Sequence, residues 1–195
     1  MNIFYKNIGE NKFFLKPDSA LVKGSRDFYL PGYIEGVIFS PSLVFRINRS
    51  SKCTESRFAI RFYNVVSYGI NICDYRFRQN NCSDIFDLVK LTIFDNSCYA
   101  GDEFFPPDQY KIKGNINLAI DGIVALTCRI PENILEEVNM AIELISGYCS
   151  MKSGDLIFIQ LGEVKELRKD VRLSLFHSES EATHSEDLQF DFRIK

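Results

Sequence analysis

The sequence predicts an α+β domain in which strands dominate, on three observations. Runs of β-branched and aromatic residues recur along the chain, among them "VIFSPSLVFRI" (Val37–Ile47), "INLAIDGIVAL" and "LIFIQL". Two stretches, "TESRFAIRFYNVV" and "PENILEEVNMAIELISGYC", repeat apolar residues at helical spacing instead. Hydrophobic residues make up 46%, with 17 Phe and 9 Tyr but no Trp, which describes an aromatic-packed interior rather than a disordered chain. A length of 195 residues without a linker or repeat suits a single domain over 1–195.

Along the chain, "FLKPDSAL" (Phe14–Leu21) reads as an extended entry with a turn at Asp18 and Ser19 after Pro17. Residues 36–48 form the opening strand. Alternation puts Val37, Phe39, Leu43, Phe45 and Ile47 on one face and Ser40 and Ser42 on the other. Pro41 lacks a ladder donor, which points to an edge or a bulge. Thr54–Val66 reads as an amphipathic helix, with Phe58, Phe62 and Val66 in its stripe and Thr54 as its N-cap. Arg57 and Arg61 lie four apart beside that stripe and suit a solvated face better than a phosphate site. "SYGINIC" (Ser67–Cys73) follows as a short strand. Asp121-Gly122 marks a hairpin turn. The second helix places Pro131 in its first turn and Ile134, Val138 and Ile142 on its apolar face. "LIFIQL" after Gly154-Asp155 is another strand, and an acidic loop leads into a final alternating strand.

Composition excludes several classes. A net charge of −3 argues against general nucleic-acid affinity. No apolar run is long enough to span a bilayer, and "MNIFYKNIGENKFF" has no signal-peptide core, so no membrane partner and a cytoplasmic location are expected. Cys53, Cys73, Cys82, Cys98, Cys128 and Cys149 form no C-x-x-C pair and read as free thiols. The histidines, His177 and His184, both lie late in the chain, which disfavours a zinc site and leaves any earlier nucleophile without a nearby histidine base.

The order of several short markers resembles the fumarylacetoacetate hydrolase (FAH) family, specifically its small acylpyruvase and isomerase-type members. The markers are "KPDSAL" (Lys16–Leu21), "RFAIRFYNVVSYGI" (Arg57–Ile70), "FDNS" (Phe94–Ser97) followed by Gly101, "DG" (Asp121-Gly122), "GDLIF" (Gly154–Phe158) and the closing "FDFRIK". The resemblance runs from about Phe14 to Lys195. It implies an FAH-type mixed β-sandwich roll with two or three short helices, usually a homodimer, and Mg²⁺ or Mn²⁺ at one mouth of the roll. It also implies chemistry on 2,4-diketo acids and related 2-oxo acids.

In the pattern of active relatives, the opening strand carries Glu-x-Glu and the strand after the first helix supplies an aspartate. Laid on this chain, the glutamates fall on Ser40 and Ser42 and the aspartate on Asn71. Hard dications take several oxygen ligands, with carboxylates compensating their charge; here all three positions are neutral. The lysine before "FDGS" falls on Thr92, and Lys90 lies two residues away, about 7 Å along a strand. The "ARD" arginine falls on Tyr75 and its aspartate on Arg76, while the loop after "GDLIF" reads Ile159-Gln160-Leu161-Gly162. The N-terminal lid is shortened: it has Glu10 but no His.

These departures imply a non-catalytic member of the fold with a binding or scaffold role and no metal cofactor. Ser40, Ser42, Asn71, Tyr75 and Thr92 would then line a residual neutral pocket suited to a small uncharged or weakly acidic ligand, unless they merely satisfy one another. The alternative is an active hydrolase, decarboxylase or isomerase with a rebuilt Mg²⁺ or Mn²⁺ site drawn from Asp74, Asp84, Asp87, Asp95 and Asp102. A third reading uses Ser40 or Cys73 as a nucleophile and lacks a base. A homodimer is a further implication of the resemblance.

Overall fold

A computed structural model of the chain describes residues 1–78, 89, 90, 92–107, 112–179 and 187–195. Among them twelve strands form two sheets. The larger takes β1 (Ile3–Asn7), β2 (Phe14–Lys16), β3 (Leu21–Lys23), β4 (Val37–Ile47), β5 (Tyr63–Asp74), β6 (Cys98–Ala100), β9 (Leu156–Gln160) and β10 (Val164–Glu166). Its order is β2-β1-β9-β4-β5-β6-β3, with β10 also on β4; β1–β9 and β3–β6 are parallel and the other pairs antiparallel. The smaller sheet, antiparallel throughout, runs β12-β11-β7-β8 from β7 (Asn115–Ile120), β8 (Ile123–Arg129), β11 (Arg172–Ser178) and β12 (Asp187–Arg193). Helices α1 (Ser56–Ala59) and α2 (Ile134–Tyr148) join them, with short 3-10 helices at Asp18–Ala20 and Tyr75–Arg78. Strand-rich α+β architecture is therefore what the sequence predicts and what forms.

The β4–β5 ladder is the frame on which the rest is hung. Eleven residues of β4 pair with β5, and the period of two sends Val37, Phe39, Leu43, Phe45 and Ile47 into the main core with Val66, Tyr68, Ile70 and Ile72 of β5. That core continues between the sheets to Leu118, Leu173, Leu175 and Phe190. On α2, Ile134, Val138 and Ile142 are buried as their spacing predicts, joined by Ala141 and Ile145. The hairpin turn at Asp121-Gly122 has positive φ at both residues, 52° and 79°, the type I′ geometry that Asp-Gly favours.

Five expectations differ from the structure. Thr54–Val66 is not a helix: only Ser56–Ala59 is helical, and Tyr63 already belongs to β5, which continues to Asp74 rather than spanning Ser67–Cys73. Val66 is fully buried in β5, and the β-branched run around it gains a ladder with β4 that outweighs a local helical period. Thr54 does not cap α1; Glu55 holds that position, and the Thr54 hydroxyl bonds Ser51 at 2.6 Å. Pro41 lies on a central strand rather than an edge. Its carbonyl accepts from Leu161 at 2.9 Å, so its missing N–H faces the gap where β4 passes from β10 (up to Phe39) to β9 (from Ser42). Pro131 precedes α2, which begins at Ile134 after Asn133. The first thirteen residues, read only as lacking a signal core, include β1, a fully paired strand between β2 and β9.

Candidate functional site

The face of β4 opposite the main core carries Ser40 and Ser42, and the ladder sets Ser40 against Asn71 and Ser42 against Gly69. The three neutral residues at the implied ligand positions are thus brought together on one face. A second apolar cluster covers that face, built from Ile3 and Tyr5 of β1, Val44, Cys73, Cys98, Leu156 and Phe158. Gly69 has to be glycine: a Cβ there would meet Val44 Cγ2 at 2.4 Å and the Tyr99 carbonyl at 2.7 Å. Ser42 is fully buried, Asn71 is 1% exposed, and Ser40 and Thr92 are each 4% exposed.

The polar groups on this face are mostly satisfied by one another. Ser42 donates to the Ser40 carbonyl at 3.0 Å. Asn71 sits between two thiols: Cys98 donates to its Oδ1 at 3.3 Å, and its Nδ2 donates to Cys73 Sγ at 3.4 Å. Tyr5 lies 4.0 Å from Cys73 Sγ and hydrogen-bonds Thr92, whose Oγ1 donates to the Val89 carbonyl at 3.2 Å. Among the described residues no buried side-chain nitrogen or oxygen lacks a partner. Burial raises the Tyr5 phenol well above its ordinary value, and burial pushes the Cys98 thiol up to about 11. Both are therefore neutral at ordinary pH.

Beside Asn71 lies a fully buried ammonium. Lys16 Nζ donates to the Ile72 carbonyl (2.6 Å), to Ser97 Oγ (3.0 Å) and to the Ser97 carbonyl (3.4 Å), and it stands over the rings of Tyr5 and Phe94. Among the described residues no carboxylate pairs with it. All three of its protons are engaged, so Lys16 fastens β2 to β5 and the β6 entry while placing a positive charge against the site.

Charge decides what this face can hold. Two hydroxyls, an amide, two thiols and a buried ammonium supply no carboxylate to compensate a dication's charge. The described residues contain no cluster of three or more His, Cys, Asp or Glu suited to a metal. Of the acids considered as replacement ligands, Asp74 is buried but gripped by Arg76, whose Nη2 and Nε lie 2.6 and 3.0 Å from its carboxylate. Asp95 and Asp102 are exposed, and Asp84 and Asp87 lie outside the described residues. This donor set does not fit a Mg²⁺ or Mn²⁺ ion.

Tyr75 stands apart from the other four. Its hydroxyl donates to Glu35 at 3.2 Å, its ring underlies Lys165, and its N–H goes to the Gly36 carbonyl. The residues that most shape the site electrostatically, Lys16, Tyr5 and Cys98, were not singled out as site residues from sequence. Lys16 stands in a quoted marker, but nothing in a single lysine signals burial. Outside the described residues fall Cys82 and His184; Cys53, Cys73, Cys98, Cys128 and Cys149 are free thiols, as read.

Geometry of this kind, a mixed sheet and a second antiparallel sheet around a shared core, is the fold of the fumarylacetoacetate hydrolase family. No family model matches the chain, and no curated protein matches it in sequence; the likeness lies in solved structures. One is a protein from Yersinia pestis CO92 described as belonging to the fumarylacetoacetate hydrolase family, with a TM-score of 0.81 and 14% identity over 100% of this chain and 92% of that one. A second is 2-hydroxyhepta-2,4-diene-1,7-dioate isomerase from Mycobacterium marinum (TM-score 0.78, 18% identity, 99% and 73% covered). A third is fumarylpyruvate hydrolase from Pseudomonas aeruginosa, solved with Mn²⁺ and pyruvate (TM-score 0.77, 16% identity, 100% and 89% covered). Among the described residues, no helix is long and apolar enough to cross a membrane.

Proposed function

We propose that this chain is a member of the fumarylacetoacetate hydrolase family that has lost the metal-dependent reaction on 2-oxo acids and serves as a binding or scaffold protein. One observation carries the reading: Ser40, Ser42 and Asn71 stand together at the implied ligand positions, buried and neutral, with the Lys16 ammonium on the carbonyl of Ile72, the residue after Asn71. A metal acting as Lewis acid supplies several kcal/mol of transition-state stabilisation, and losing about 4 kcal/mol slows a reaction roughly a thousandfold. Thr92, at the position of the implied lysine, carries no charge either, and its hydroxyl is spent on Val89.

A small uncharged or weakly acidic ligand would meet this face at the Ser40 hydroxyl, on a residue 4% exposed and set against Asn71 in the ladder. The test is a panel of acylpyruvates and oxaloacetate assayed with added Mg²⁺ or Mn²⁺. No turnover above background is expected; a rate near about one per second would establish an active enzyme instead.

A further inference from the structure

A second feature lies at the far end of β4, away from the candidate site. Residues 46–61 hold five cations (Arg46, Arg49, Lys52, Arg57, Arg61) against one acid, Glu55: a net +4 within a chain of net −3, leaving −7 on the remainder. Glu55 pairs with Arg57 at 2.9 Å, and no ion pair within the described residues engages Arg49, Lys52 or Arg61. Two guanidiniums, those of Arg57 and Arg61, lie 4.7 and 5.3 Å from the centre of the Phe58 ring, and Arg49 stands over Phe62. Phe58 and Ile60, 38% and 49% exposed, give the patch an apolar centre.

The loop that presents these side chains is fastened at its root. Ser51 bonds Thr54 between hydroxyls at 2.6 Å, Thr54 N–H donates to Ser146 Oγ at 2.9 Å, and Cys53 N–H donates to the Ser146 carbonyl at 2.9 Å. Arginines stacked on an aromatic ring lose less freedom on pairing, and their forks match carboxylates in two-point contacts. An arginine-and-aromatic surface with an apolar centre has the composition of a protein-docking site.

We propose that this patch docks a short acidic polypeptide segment carrying an apolar residue among its carboxylates. The charge distribution favours a short segment over a long polyanion: local fields persist for about 8 Å at physiological salt, while an extended polyanion also meets a remainder of the chain whose net charge is −7. Membrane entry is disfavoured because Phe58 is held beneath two guanidiniums, which leaves Ile60 as the main apolar group free to insert. The inference is independent of whether the Ser40–Asn71 site is active.

The test uses the full chain and a fluorescein-labelled synthetic peptide of twelve residues repeating Glu-Glu-Leu, read by anisotropy. Binding that weakens about tenfold between 50 and 150 mM salt is expected, and the double variant Arg57→Glu with Arg61→Glu should weaken it more than about tenfold. A second pair, Arg57→Gln with Arg61→Gln, should do the same to a lesser degree with an unchanged thermal melt. The control Lys23→Glu with Lys169→Glu makes the same change in net charge elsewhere and should leave binding within about twofold. Equal losses in patch and control variants would overturn the proposal. So would no binding at all, or tighter binding to phosphatidylserine vesicles or to a thymidine 20-mer at the same salt.

Discussion

One face of the β4–β5 pair carries Val37, Phe39, Leu43, Phe45 and Ile47 against Val66, Tyr68, Ile70 and Ile72; the other carries Ser40 and Ser42 against Asn71 and Gly69. Both faces belong to the same two strands and share one register, so backbone differences cannot account for what separates them. The first face is held by burial and shape alone; the second adds to its own apolar cluster a small hydrogen-bond network around Asn71 and the Lys16 ammonium. A fold of this kind can therefore keep its frame while the charged chemistry of one face is exchanged, because stability and reactivity draw on alternate residues of one strand.

The contrast can be broken or sharpened by substitution. Phe45→Ala should cost the most, about 3–5 kcal/mol in denaturant unfolding, since the ring is fully buried and meets Tyr63 edge-on at 5.4 Å. A loss below about 1 kcal/mol would show that the apolar face is not the main support. Installing the implied ligands, Ser40→Glu with Ser42→Glu and Asn71→Asp, should destabilise the chain by about 3 kcal/mol without metal, because three buried carboxylates then share a single nearby ammonium, that of Lys16. Added Mn²⁺ should raise the melting temperature of that triple variant by about 5 °C or more and leave the unmodified chain unchanged.

A smaller effect is expected at alkaline pH. Burial holds the Cys98 thiol at about 11 against an ordinary 9.0, so the unfolded chain releases that proton first. Stability is then full below about pH 9 and declines as pH rises toward 11, by on the order of 2 kcal/mol from Cys98. Cys128, also raised to about 11 by burial, adds to the same window. Urea unfolding at pH 8 and pH 10.5 measures the decline, and Cys98→Ala should reduce it. Smallest of all, Ser42→Ala removes one bond to the Ser40 carbonyl and should cost no more than about 1 kcal/mol. A cost near that of Phe45→Ala would mean the polar face is a second structural core.

Sequence made the strands legible wherever alternation was strong. The strand read over 36–48 forms as Val37–Ile47, Asp121-Gly122 turns the β7–β8 hairpin, and α2 buries the predicted stripe. It also placed Ser40 and Ser42 on one face by parity, while Asn71 entered only through the family resemblance and the β4–β5 register sets it opposite Ser40. What it could not show depends on tertiary pairing. Phe58, Phe62 and Val66 satisfy a helical period, yet the ladder with β4 claims Val66 for a strand. Pro41 reads as an edge residue until β9 and β10 are seen to share one side of β4. Lys16 looks like any solvent-seeking lysine, and only the converging carbonyls of Ile72 and Ser97 reveal its burial. The shared face was legible; the charge inside it was not.

The central claim is that this fold retains the site for a hard dication without the charge to hold one. Calorimetric titration of the unmodified protein with Mn²⁺, repeated with Mg²⁺, tests it most directly. No saturable heat is expected up to about 1 mM metal. Saturable binding with a dissociation constant in the micromolar range, abolished by substitution at Ser40, Ser42 or Asn71, would contradict it.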